Sequence, residues 1–237
     1  MSAATTWQPY AFPKAAAFGK TVPKNRIYQH ASVSTKGKEF FVRQVEKIIW
    51  SYKLSPTTIN IPPGKGVEEI QIFTVVCKGS DLNERVLRAI DKAIPSPILF
   101  IIQKTGNAFR YTAAYKRLSD ATRGKWVIGQ YFTTAEYTED EEAEKRRLPP
   151  ARHLGALYEY LLRELIPVRS LSDETMEALL QRTEQVSRLA REYDRLESKM
   201  KKEKQFNRRV ELNRQRKRVR EDIRKLTNGV QPDSPAL

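Results

Sequence analysis

The sequence predicts an α+β fold: a mixed, mostly antiparallel sheet with packed helices, followed by a long helical, coiled-coil-like extension at the C-terminus. Three observations predict it. Short runs rich in β-branched and aromatic residues recur between positions 69 and 132, separated by turn-like and helix-like stretches. Read along the chain, their order is helix, strand, helix and then three strands, the pattern of strands paired with close neighbours and helices laid on one sheet. The last third exchanges those residues for Arg, Lys, Glu, Leu and Gln, a helix-forming mixture.

Residues 1–36 are rich in Ala, Thr, Pro and Lys without a sustained period, so an irregular arm is expected there, pinned by Phe12, Phe18, Ile27 and Tyr28. An α+β domain is expected over 37–148. Its first helix is read from Phe41, Val45, Ile48, Ile49 and Tyr52, spaced as one apolar stripe and stopped by Ser55-Pro56. Pro62-Pro63-Gly64 marks a loop. Glu69 to Cys77 reads as a strand whose two faces are both largely apolar, which places it centrally in the sheet. Asp81 or Asn83 then caps a helix carrying Val86, Leu87, Ile90 and Ile94, and Pro95 and Pro97 stop it. Ile98 to Gln103 is a second strand, Gly106-Asn107 a hairpin turn, and Phe109, Tyr111, Ala113 and Tyr115 alternate along a third. Trp126, Ile128, Gln130 and Phe132 alternate along a fourth, and Glu136 to Glu144 reads as an acidic, solvated connector.

A helical extension is expected over 149–228. A leucine-rich helix runs from His153 to Ile166. After Pro167, Ser172, helped by Thr175, caps a long helix whose apolar seam is Met176, Leu179, Thr183, Val186, Ala190 and Tyr193. Leu212, Val219, Ile223 and Leu226 repeat that seam at coiled-coil spacing. Lys199 to Arg209 is too charged to continue it, so a break into two antiparallel helices is expected there. Residues 229–237 read as a flexible tail. A seam this long exceeds what a domain of this size can cover, which points to a protein partner or to self-association.

The chain carries a net charge of +15, from 43 basic and 28 acidic residues. Such a balance favours polyanionic partners. Between Lys199 and Lys225 thirteen basic residues meet four acidic ones, a local net charge of +9. Lys199, Lys201, Lys202, Lys204, Arg208, Arg209, Arg214, Arg216, Lys217 and Arg218 are the candidate nucleic-acid-binding residues, able to neutralise phosphates and release counterions. Few aromatics are interleaved, so base stacking and sequence readout are not expected.

Catalytic chemistry has little to build on. A single cysteine, Cys77, rules out an intramolecular disulfide and agrees with a reducing compartment. Two histidines, His30 and His153, supply no zinc set, and His153 suits a capping or surface role. Gly64-Lys65-Gly66 lacks the spacing and the following hydroxyl of a phosphate loop. A divalent-metal-dependent nuclease is the alternative that residues 69–78 allow, using Glu69 and Gln71 on one strand face and Lys78 at its end, although no acidic-x-Lys pair is present. No cofactor is expected. The N-terminus lacks a secretory pattern and the longest apolar run is too short for a bilayer, so a cytoplasmic protein without a membrane partner is expected.

Several stretches together resemble a bacterial family, the domain of unknown function 4391: Phe12-Pro13-Lys14, Val22-Pro23-Lys24, the run from Ile49 to Pro56, Glu69-Ile70-Gln71-Ile72-Phe73, the run from Ala89 to Pro95, and the run from Lys204 to Asn213. The resemblance spans nearly the whole chain. It implies a context and no activity: members are often encoded beside a superfamily-2 helicase and a DNA methyltransferase, in restriction-like or antiphage loci. The expectation that follows is a non-catalytic accessory subunit that binds a helicase or methyltransferase partner, and DNA without sequence preference. A self-associating coiled-coil scaffold, a homo-oligomer through the long helix, stands as a further alternative.

Overall fold

The computed structural model describes residues 9–119, 126–138 and 145–228, and the tail 229–237 lies outside them. The elements in chain order are β1 (Tyr10–Ala11), β2 (Ala17–Thr21), α1 (Lys24–Ala31), α2 (Thr35–Gln44), β3 (Val45–Leu54), α3 (Pro56–Ile59), β4 (Ile70–Cys77), α4 (Glu84–Ala93), β5 (Ile98–Gln103), β6 (Ala108–Leu118), β7 (Trp126–Thr133), β8 (Tyr137–Thr138), β9 (Arg146–Arg147), α5 (Leu154–Arg163), α6 (Met176–Lys202) and α7 (Phe206–Asn228). The fold is α+β with a mixed sheet. Two compact units divide the chain, Met1–Leu165 and Ile166–Leu237.

In the first unit the sheet order is β2-β3-β4-β5-β6-β7, with β8 added to β6. All neighbours are antiparallel except β4 and β5, which α4 joins as a crossover. Strand β4 is central and nearly all buried, because both of its faces carry Ile, Phe, Val or Cys. The core on the helix-bearing face includes Phe41, Ile48, Phe73, Val75, Val86, Ile90 and Phe100. The turn between β5 and β6 is the three-residue loop 105–107, closed by Lys104 N donating to Ala108 O at 2.8 Å, with Gly106 and Asn107 at positive φ. Of the connector expected at 136–144, Tyr137 and Thr138 form β8, and 139–144 lie outside the described residues.

Three sequence expectations are corrected. The helix read through Tyr52 ends at Gln44, and residues 45–54 continue directly as β3, paired with β2 on one side and β4 on the other. Its β-branched and aromatic residues favour the strand. The arm expected to be irregular supplies an edge strand and a helix, β2 and α1, with Ile27 of α1 buried. Finally, α5 belongs to the first unit rather than to the extension. Its Tyr158 explains why: a bulge in β7, where Gly129 and Gln130 oppose Tyr115 alone, breaks the ladder to β6 between Ala114 and Lys116, and the Tyr158 hydroxyl accepts from Lys116 N at 2.8 Å and donates to Ala114 O at 2.6 Å. The buried backbone groups that the bulge releases are thereby paired.

His153 serves as the N-cap of α5, its ring Nδ1 accepting from Ala156 N at 3.0 Å. The Gly64-Lys65-Gly66 turn packs against this helix start. A Cβ at Gly64 would lie 2.5 Å from His153 Cγ, so glycine is needed there for close approach. No helix among the described residues is long and apolar enough to cross a membrane.

Candidate nucleic-acid interface

The second unit is an antiparallel helical hairpin. Thr175, not Ser172, is the N-cap of α6, its hydroxyl accepting from Ala178 N at 3.2 Å. Helix α6 runs 27 residues to Lys202, and the chain reverses over Glu203-Lys204-Gln205. The Glu203 carboxylate accepts from Gln205 N at 2.9 Å and holds that turn. Helix α7 returns along α6. At the base, Arg182 donates to the Leu226 carbonyl at 2.6 Å, and nearer the turn the Arg216 guanidinium lies 5.7 Å from the Tyr193 ring centre. Arg182 also forms a paired bond with Glu174, at 2.8 and 2.7 Å, which raises the affinity of the guanidinium for its proton further. Leu179, Thr183, Leu196 and Val219 are buried. The seam that the sequence offers to a partner is met by a helix of the same chain.

This architecture sorts the candidate basic residues. Lys199, Lys201 and Lys202 occupy the last turn of α6, Lys204 the reversal, and Arg208 and Arg209 the first turns of α7. All six are exposed and gather at one tip. Arg214, Lys217 and Arg218 are exposed further along α7, whereas Arg216 is half-buried and turned to Tyr193 and to the Asn213 side-chain carbonyl, 3.1 Å away. Among the described residues the ion pairs in this set are Lys201 with Glu197 and Arg214 with Glu211, both 3.7 Å long and exposed. Such pairs neutralise little charge. Lys202, Lys204, Arg208 and Arg209 form no ion pair among the described residues.

The tip also carries a feature with no counterpart in the sequence pattern. Phe206 is 77% exposed and Val210 46% exposed, one helical turn apart on the start of α7 that also carries Arg208 and Arg209. A lone phenylalanine in a charged run gives no periodic signal; its exposure becomes legible once the chain reversal is placed.

The alternative set of Glu69, Gln71 and Lys78 does not converge. The Glu69 carboxylate accepts from Gln71 Nε2 at 2.7 Å and Ser96 Oγ at 3.2 Å, and pairs with Lys53 at 2.5 Å. Lys78 lies beyond the opposite end of β4, seven residues and thus about 23 Å along the strand direction from Gln71. Its ammonium donates to the Val42 carbonyl at 2.7 Å, capping the end of α2. Among the described residues no three His, Cys, Asp or Glu side chains group to hold a metal ion.

No curated protein matches this chain, and no solved structure does. A family model matches residues 11–223, from the N-terminal arm to the last turns of α7. The chain therefore belongs to the family described as domain of unknown function DUF4391.

Proposed function

We propose that this protein is a non-catalytic accessory subunit of a bacterial DNA defence or modification complex, which grips nucleic-acid backbone with the tip of its helical hairpin. The observation that carries the reading is the tip itself: six exposed Lys and Arg side chains from two helix ends and their connecting turn, with one weak carboxylate pair among them. Exposed cations on a helical support attract phosphates without selecting bases. Of the four acidic residues between Lys199 and Lys225, Glu203 sits in the reversal with its carboxylate on Gln205 N and Glu211 pairs with Arg214, while Glu221 and Asp222 lie toward the far end of α7. A helicase or DNA methyltransferase is the proposed protein partner, on the strength of the family resemblance, and the first unit offers the docking surface.

The test is fluorescence anisotropy with a labelled DNA of arbitrary sequence, at several salt concentrations. The double variant Arg208→Glu, Arg209→Glu should bind more weakly at every salt concentration. Its log–log salt slope should shrink by about two, one for each phosphate no longer neutralised. Unchanged affinity and slope would overturn the role of the tip. Capture of the tagged protein from its host, with and without nuclease treatment, tests the partner: a helicase or methyltransferase retained after nuclease supports direct docking.

A further inference from the structure

A cleft of about 270 Å³ opens in the first unit between α1, the start of β4 and the segment that follows α4. Its floor includes Trp50 and Gln71, and its walls include Arg26, His30, Ile94 and Ser96. Three buried side-chain atoms among the described residues lack a hydrogen-bond partner: Trp50 Nε1, Gln71 Oε1 and Arg110 Nε. Two of the three belong to residues that line this one cleft.

The arrangement is constrained. Gln71 is 1% exposed, and its Nε2 donates to the Glu69 carboxylate at 2.7 Å. That bond fixes the amide, because a flipped amide would set its oxygen against a carboxylate. The Glu69 carboxylate is itself held by Lys53 and Ser96. Trp50 is packed against Phe73, with ring centres 5.9 Å apart and 11° between planes, and against Phe18 at 4.1 Å. Aromatic contacts thus take up the indole ring and leave its N–H edge as the polar handle. A buried donor and a buried acceptor without partners are each costly to keep. Both atoms belong to residues that line one largely apolar cleft, and a ligand seated there with a matching acceptor and donor would supply the missing partners.

We infer that this cleft binds a planar nitrogen heterocycle of the nucleobase type, offering an acceptor to Trp50 Nε1–H and a donor to Gln71 Oε1. A nucleobase carries adjacent ring acceptors and N–H donors on one edge and apolar faces elsewhere. The cleft volume of about 270 Å³ is enough for a single base with its sugar. Arg26 gives the wall a cation for a negative substituent. The inference stands on the first unit alone and does not depend on the hairpin: a nucleoside has no phosphate for the tip to grip.

The experiment titrates uridine, cytidine, adenosine and guanosine into the full-length protein, followed by ligand-observed NMR and calorimetry. Trp50→Phe and Gln71→Met are the variants, each with its thermal melt recorded to show that it folds. At least one nucleoside should bind saturably, at least tenfold more weakly in each variant. Binding of none of the four would overturn the proposal. So would equal affinity in the folded variants, or equally good binding of toluene, which fills the cleft without polar atoms. The DNA salt titration of the hairpin variant reads a different set of residues, so either proposal can fail alone.

Discussion

The Lys116 ammonium lies 3.6 Å from the Asp91 carboxylate, and both side chains are almost fully buried, at 1% and 3% exposure. The lysine also donates to the carbonyls of Asp91 at 2.5 Å, Ser96 at 3.0 Å and Ile94, so it closes the C-terminal end of α4 from the neighbouring strand. The Tyr131 hydroxyl donates to the second carboxylate oxygen of Asp91. A strand residue thereby satisfies the orphan carbonyls of a helix that precedes it in the chain.

Lys116→Met should destabilise the first unit by about 3–5 kcal/mol, because it strands a buried carboxylate and several carbonyls. Denaturant unfolding followed by the intrinsic fluorescence of Trp50 and Trp126 checks it. A loss no larger than that of an exposed lysine would show that the pair is solvated.

Burial pushes the Asp91 carboxyl up to about 6, against the opposing pull of Lys116 and the Tyr131 hydrogen bond. The folded state therefore holds this proton where the unfolded chain has released it. The contribution of the group is most favourable below about pH 4 and is lost as the pH rises through about 6. The stability of the wild type relative to Asp91→Asn should decline across that window, measured by thermal melts at half-unit pH steps. A flat difference would show that Asp91 titrates normally.

Cys77 is the single thiol of the chain, and it is buried on β4. Burial pushes it up to about 11, with Arg110 and Lys104 only partly opposing. A thiol reagent at neutral pH should react with it only as fast as the first unit opens, and at once after denaturation. Stoichiometric labelling of the native protein within seconds would contradict this placement.

Arg182→Met should free the last turns of α7, since one guanidinium joins Glu174 to the Leu226 carbonyl. A cost of about 3 kcal/mol is expected for a pair this enclosed. Hydrogen exchange should report it as faster exchange confined to residues near Ile223 to Thr227, with the sheet amides unchanged.

Phe206→Ala tests whether the tip does more than hold phosphates. The exposed ring should stack on an unpaired base, so the substitution should weaken single-stranded DNA binding by about 1–3 kcal/mol. Duplex binding and thermal stability should be almost unchanged, as expected for a side chain with no packing to lose. Equal losses on both DNA forms would place Phe206 in a general contact.

The readable parts of the fold are those whose pattern arises within one element. The central strand β4, the helix α4, the turn at Gly106-Asn107 and the strands β5 to β7 follow from local alternation and turn chemistry. Strand β3 is not readable in that way. Its register shifts between Val45 and Lys47 against β4, so Val45 and Ile48 face the same side three residues apart, a helical spacing produced by a bulge. Strand β2 lacks signal for another reason. Its five residues are all exposed and include Gly19 at φ +64°, so only pairing with β3 makes it a strand. At the candidate interface, charge density is plain in the sequence and Phe206 is not. Trp50 and Gln71, which carry the orphan atoms, come from neighbouring strands and line one cleft only after the sheet forms.

The three-residue reversal between α6 and α7 bears on how the chain assembles. Closing so short a loop carries little entropy, and the two helices can zip together from the turn toward Arg182 and Leu226, in the microsecond range of local structure. The sheet must instead bring β2 to residues beyond a helix pair, and β4 to β5 across a crossover, which is slower. On a ribosome the hairpin emerges after the strands of the sheet. Its formation need not wait for theirs, and a chain whose sheet is still incomplete can already present the basic tip.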